Sequence, residues 1–353
     1  MTVGRPVPYD RLPLQLADVE RVAVFRALHL GDFLCSVPAL RALKDRFPGA
    51  ELTYIGLPWA REIVERYRYV DRFLEFPGYC GLEGVASRPK VVHEFLDEAR
   101  AYRYDLAIQM HGDGRVSNGF VAQLGARVSL GYRRRSVELP KELDVELEMD
   151  DGEHEVLRWL RLVGALGAVG TVEIEFPLTP GDRTEAESVL AESGVAPADL
   201  VVVLHPGAKE ATKRWPAIGF ARVGDSLSEQ VGARVLITGS RDEMDVARAV
   251  ASEMREPARV VAGRTSLGGL AALLGRAQLL VTNDTGPSHL AAAIGVPSVV
   301  LFGPTEPGRW APLGVAAHRA LWSGPGNPIA FIPVERVLDE SLGLVRQCVH
   351  PTS

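Results

Sequence analysis

Cysteine is scarce in this chain of 353 residues: Cys35, Cys80 and Cys348 are three, odd in number and far apart. That spacing excludes a disulfide framework and fits a reduced, cytoplasmic setting. A basic surplus is also missing. With a formal net charge of -6, the chain lacks the positive face a nucleic-acid binder needs, so nucleic acid is not an expected partner. No stretch approaches the ~18 apolar residues of a membrane span. The opening MTVGRPVPYDRLPLQLADVE carries acidic residues and no apolar segment of the signal-peptide kind. Membrane contact is therefore expected to be peripheral at most. Three catalytic signatures are absent too. LHLGDF lacks the G-x-G-x-x-G of a dinucleotide fold, and no Gly-x-Ser-x-Gly elbow occurs. His111 and Asp113 stand close in sequence, but two residues do not make a metal site.

What is present reads as α/β. A hydrophobic fraction of 46% and a charged fraction of 24% are ordinary for a globular protein, and the length exceeds one usual core, so two domains are expected. Short β-branched runs alternate with longer amphipathic ones, the pattern of βα units around a parallel sheet. The expected strands are 21–28, 50–57, 104–111 and 126–132, then 199–207, 233–239, 258–263, 278–284 and 298–304. Helices are expected in SVPALRALKDRFP, AIGFARVGDSLSEQ and SLGGLAALLGRA, and a linker near 170–182. Two doubly wound, Rossmann-like sheets would place ligand sites at the carboxyl ends of their strands.

Three segments sit at such ends. In FRALHLGDFLCSVPAL, Gly31 and Asp32 follow the first strand; Asp32 reads either as a helix N-cap or as a carboxylate presented to a cleft. In LHPGAKEATKRWP, Gly207 and Ala208 can offer backbone N–H groups to an anion, with Lys213 as a point charge on phosphate; the plain alternative is a solvated basic loop. In VTNDTGPSHLAAAIGVPSVVLFGPTEP, Thr285 and Gly286 lie where a strand feeds a helix N-terminus, which favours phosphate. Asp284 would repel a phosphate, so it is expected to orient the loop or hold a ribose. His289 lies a turn further on, and a capped turn with a core histidine is the alternative there. Arg133, Arg134 and Arg135 could hold an acidic acceptor or simply form a hydrated loop.

In combination these segments, with LITGSRDE, TSLGGLAALLGRAQ and GRWAP, resemble glycosyltransferase family 9, known for ADP-heptose:lipopolysaccharide heptosyltransferases. Their order and spacing follow the family over residues 21–312. The resemblance implies a GT-B architecture: an acceptor domain at 1–175, a nucleotide-sugar domain at 176–332, and a C-terminal helix within 333–353 returning to the first domain. It implies Asp32 as catalytic base and Lys213 on the donor diphosphate, with Gly207, Ala208, Asp284, Thr285, Gly286 and His289 around it. Glu243 would hold the ribose, with Asp242 as competitor, and Thr265, Ser266 and Leu267 would edge the base pocket. The implied reaction is inverting, with no cofactor and no metal, from an ADP-linked or other nucleotide sugar to a glycan, lipid-linked or small-molecule hydroxyl. The implied location is the cytoplasm, at or near the inner membrane. Ala208 and Lys209 stand where the heptosyltransferase I subgroup has hydroxyl residues, which leaves the sugar and acceptor open. A catalytically silent binder on the same fold, and a GT-B-shaped epimerase, are the rival readings.

Overall fold

The computed structural model describes residues 18–134, 142–313 and 317–349. The chain divides between Glu173 and Ile174 into two compact units, each built on one six-stranded sheet. In the first unit the strands are β1 (Arg21–Phe25), β2 (Glu51–Gly56), β3 (Arg72–Glu75), β4 (Leu106–Gln109), β5 (Val128–Arg133) and β6 (Val145–Glu148). Its helices are α1 (Leu30–Arg46), α2 (Arg61–Val64), α3 (Pro89–Tyr102), α4 (Ser117–Ala122) and α5 (Glu155–Gly164). The second unit holds β7 (Val201–His205), β8 (Arg234–Ile237), β9 (Ala258–Val260), β10 (Leu279–Asn283), β11 (Ser298–Phe302) and β12 (His318–Trp322). Around them lie α6 (Pro180–Glu192), α7 (Ala217–Val231), α8 (Met244–Glu253) and α9 (Leu267–Arg276). The remaining helices are α10 (Gly286–Ile294), α11 (Pro307–Trp310) and α12 (Val334–Val349).

Among the described residues every strand pairing is parallel. The first sheet runs β3-β2-β1-β4-β5-β6 and the second β9-β8-β7-β10-β11-β12. Counted within each unit, both orders are 3-2-1-4-5-6, the doubly wound Rossmann arrangement. Winding reverses between the first and fourth strands, so the loops leaving those two diverge and open a crevice at their carboxyl ends. In the second unit this brings the loop after His205 beside the loop after Asn283, because Thr282 pairs with His205. In the first it brings the turn after Phe25 beside the turn after Gln109, the two being register partners.

Central strands are covered on both faces and read as unbroken apolar runs. β7, β10 and β11 are buried throughout. Three strands went unseen in the sequence, β3, β6 and β12, and all three lie at sheet edges. Their RFLE, VELE and HRALW alternate or carry charge because one edge meets solvent. α1 starts at Leu30, ahead of the expected SVPALR segment, and runs on through Pro38. The expected linker is irregular over 171–179 and contains the boundary between the units, and its last residues open α6. There Thr179 Oγ1 accepts the Asp182 N–H at 3.2 Å while the Asp182 carboxylate accepts the Thr179 N–H at 2.7 Å, a closed capping box. The segment expected to return to the first domain forms α12, whose Val337, Leu342, Leu344 and Val345 lie in the second unit's core.

Candidate functional site

In the first unit Asp32 is the third residue of α1, with His29 as the N-cap. The N-cap reading of Asp32 is therefore corrected by three positions: its carboxylate reaches back to accept the His29 N–H at 3.3 Å, the part an acidic N3 residue plays in a capping box. Its other oxygen meets Arg26 Nη2 at 3.2 Å, and Arg26 Nε donates to the Asp32 carbonyl at 2.7 Å. Arg26 is 1% exposed and the Asp32 side chain 19%, so the pair is rooted in the core with only the carboxylate reaching water. Beneath it, Arg26 Nη2 lies 3.5 Å from Glu155 Oε2, Arg158 is ion-paired with Glu155, and the Arg26 guanidinium stacks 4.6 Å from the Trp159 ring. Sequence reasoning missed this cluster. Its one signal was an arginine inside the apolar VAVFRAL.

At the end of β4, the His111 ring stacks on Phe25 at 4.9 Å and its Nδ1 accepts the Ala27 N–H at 3.1 Å. Burial, aided by the nearby Arg26 charge, pushes its pKa down to about 4. It is a neutral core histidine. Asp113 is bonded to Arg115 Nε at 2.7 Å. Among the described residues no three His, Cys, Asp or Glu side chains gather as metal ligands. Arg133 faces Glu146 at 3.5 Å, and Arg134 is held between Asp151 at 2.8 Å and Asp113 at 3.5 Å. Arg135 lies outside the described residues.

The second unit gathers more of the predicted residues. Lys213 closes a short 3-10 turn (Ala211–Lys213), and its Nζ lies 3.2 Å from Asp284 Oδ2 across the loops after β7 and β10. Asp284 is buried and Lys213 half-buried, so the ammonium is the accessible partner. Asn283, which the sequence reading passed over, ties these loops together. Its Oδ1 accepts the Trp215 N–H at 3.1 Å, and its Nδ2 donates to the Pro206 and Gly207 carbonyls at 2.9 and 3.3 Å. Trp215 Nε1 in turn bonds the Ile332 carbonyl at 3.1 Å.

Glu243 sits directly over Gly207: an added Cβ there would lie 2.2 Å from Glu243 Oε1. Its carboxylate also accepts the Ser240 N–H at 2.8 Å and faces His205 Nε2 at 3.9 Å. Burial lowers the His205 pKa, with Glu243 opposing, and its Nδ1 meets Thr238 Oγ1 at 3.0 Å. Asp242 is exposed. Of the two carboxylates, only Glu243 is turned onto the Gly207 turn.

Thr285 is the N-cap of α10. Pro287 brings no N–H and the Ser288 N–H bonds the Thr285 carbonyl at 3.0 Å, so the free donors of this helix start at Gly286. His289 is buried, edge-on to the Trp310 ring at 6.3 Å. Ser266 caps α9, its Oγ accepting the Gly269 N–H at 3.0 Å. Glu185 of α6 grips Ser266 through both N–H and Oγ at 2.6 Å. No local pattern could have revealed Glu185, which comes from a different helix. Thr265 and Leu267 flank Ser266 and are half-buried.

Tandem domains of 3-2-1-4-5-6 order are the architecture of the GT-B fold. The family 9 glycosyl transferase from Veillonella parvula shares the fold with a TM-score of 0.79 at 22% identity, over 94% of this chain and 99% of that one. The Escherichia coli ADP-heptose lipopolysaccharide heptosyltransferase II does so with a TM-score of 0.73 at 24% identity, over 94% and 100%. The chain belongs to glycosyltransferase family 9 (heptosyltransferase), whose sequence model matches residues 92–325. It is 27% identical over 299 residues to lipopolysaccharide heptosyltransferase 3 of Escherichia coli, spanning 80% of this chain and 83% of that protein. It is equally 27% identical over 294 residues to lipopolysaccharide heptosyltransferase 1 of Pseudomonas aeruginosa, spanning 82% and 80%. The protein is a glycosyltransferase. The family match spans the second-unit residues named above from His205 to His289; the Gly31-Asp32 turn lies upstream of it.

Proposed function

We propose that this protein transfers heptose from ADP-heptose, with inversion, to a hydroxyl of a lipopolysaccharide core or related glycan. The reading is carried by Lys213, an accessible ammonium held by Asp284 at the carboxyl ends of β7 and β10. The acceptor oxygen forms a bond to the anomeric carbon as the bond to the diphosphate oxygen breaks, its electrons leaving with the nucleoside diphosphate. Lys213 and the first turn of α10 at Thr285-Gly286 take that charge, so no metal ion is called for. A preorganised donor of this kind is worth about 3–4 kcal/mol on removal. The hydroxyl proton passes to the Asp32 carboxylate, and general-base help contributes roughly 10²–10⁴-fold. Glu243 holds the ribose hydroxyls above Gly207 and Ala208, with Thr265, Ser266 and Leu267 beside the base. Arg133, Arg134 and Arg135 are assigned to the acceptor. Among the described residues no helix is long and apolar enough to cross a membrane, and the proposed site of action is the cytoplasm, at the inner-membrane surface.

Melting temperatures with ADP, UDP, GDP, CDP and dTDP test the reading. A ligand at 100 times its Kd adds about 2.7 kcal/mol of stability. The expected result is a shift with ADP that Lys213→Ala abolishes. A larger shift with another diphosphate would keep the family and replace the donor. Binding without any turnover would leave a silent binder on the same fold.

A further inference from the structure

Asp32 does not stand alone in the first unit. Arg26 and Glu155 are 1% and 2% exposed, and neither lies in the donor-binding loops of the second unit. Each Asp32 oxygen has a structural donor, Arg26 Nη2 on Oδ1 and the His29 N–H on Oδ2. A buried guanidinium bound to one carboxylate alone would hold it firmly and make it a poor base. Here the same Nη2 is shared: Asp32 lies 3.2 Å from it and Glu155 3.5 Å. Glu155 is balanced in turn by Arg158 and accepts the Trp159 Nε1–H at 3.1 Å. Two cations and two carboxylates therefore alternate from Arg158 to Asp32, and only the last of them reaches solvent. Beside Arg158 stand Arg161 and Glu153, a cation and a carboxylate paired with each other at 2.7 Å, with Arg161 4.9 Å from the Tyr132 ring. The Tyr54 hydroxyl of β2 donates to the Arg26 carbonyl at 2.9 Å, and burial keeps it protonated. His111, after β4, is neutral.

We propose that Arg26 and Glu155 are positioning residues for Asp32: the guanidinium orients the carboxylate, while Glu155 divides the guanidinium's charge so that the carboxylate stays basic. The proposal rests on the reading of Asp32 as the base, and its test separates the two. The full chain is labelled with ¹³C at the aspartate carboxyls, and Asp32→Asn identifies the Asp32 signal. Glu155→Gln frees the guanidinium for Asp32 and is expected to move the Asp32 titration to lower pH than in the unaltered protein. Arg26→Met, an apolar chain that still covers Trp159, is expected to move it to higher pH. It also carries the test alone if Glu155→Gln does not fold. Shifts of the same sign, or no shift in Arg26→Met, would overturn the proposal. In turnover, Glu155→Gln should lower kcat about tenfold with the donor KM unchanged; a changed donor KM at constant kcat would also overturn it. Turnover retained by Asp32→Asn would remove the base reading, and with it the catalytic half of the proposal, whatever the titrations.

Discussion

Replacing Gly207 by alanine places a methyl group where the Glu243 carboxylate already is. The new Cβ would lie 2.2 Å from Glu243 Oε1 and 2.3 Å from its Cδ, well inside the ~3.5–4 Å of a relaxed contact. One of the two must move. The backbone at 207 is tied down through the Asn283 bonds to the Pro206 and Gly207 carbonyls at 2.9 and 3.3 Å. Glu243 is the free end of a flexible side chain, so the carboxylate swings out. Its departure breaks the 2.8 Å bond from the Ser240 N–H, a loss of about 0.5–1.5 kcal/mol in stability. Nucleotide binding should lose more. Hydrogen bonds to a charged group are worth about 1.5–3 kcal/mol, or roughly 10- to 100-fold in Kd. Calorimetric titration with ADP on the unaltered protein, Gly207→Ala, Glu243→Ala and the double variant is the assay. Both single changes remove the same carboxylate, so the double variant should bind little worse than either, a strongly non-additive cycle. Gly207→Ala binding ADP within threefold of the unaltered protein, or an additive cycle, would refute the placement of the ribose at Glu243.

Two further outcomes follow from buried groups. Asn283→Ala removes three hydrogen bonds at the joint between β7 and β10 and strands the buried Trp215 N–H, so denaturant unfolding should show a loss of about 2–4 kcal/mol, with weaker ADP binding; a change below 1 kcal/mol on that same scale would count against the joint. The His111 pKa falls from 6.5 in the unfolded chain to about 4 in the folded one. Between those values the unfolded state binds the extra proton. The stability His111 contributes is therefore intact above pH 6.5 and declines as pH falls toward 4, by roughly 3 kcal/mol at most. His111→Asn keeps an acceptor for the Ala27 N–H and removes the titration, so its melting temperature should depend less steeply on pH across that window. An unchanged slope would contradict the assignment.

The sequence by itself determined the α/β class, nine of the strands and the groups that gather at the second switch point. Those features are local. A strand covered on both faces must be apolar along its length, and a βα turn that presents backbone to a ligand needs small residues, so both leave a mark in short windows. Pro206-Gly207-Ala208, Lys213 and Asp284-Thr285-Gly286 were legible for that reason. Edge strands β3, β6 and β12 were not, because one side of each meets water and their composition drifts toward that of loops. Tertiary structure alone set Glu243 apart from Asp242, since one step along a 3-10 turn separates a carboxylate over Gly207 from one in solvent. It also decided what surrounds Asp32. Arg26 follows β1 while Glu155 and Arg158 lie on α5, far along the sequence, and they meet only when α5 packs beside α1 in one unit. A charge buried in such a place must find its partner across the fold, and no window of neighbouring residues records where that partner lies.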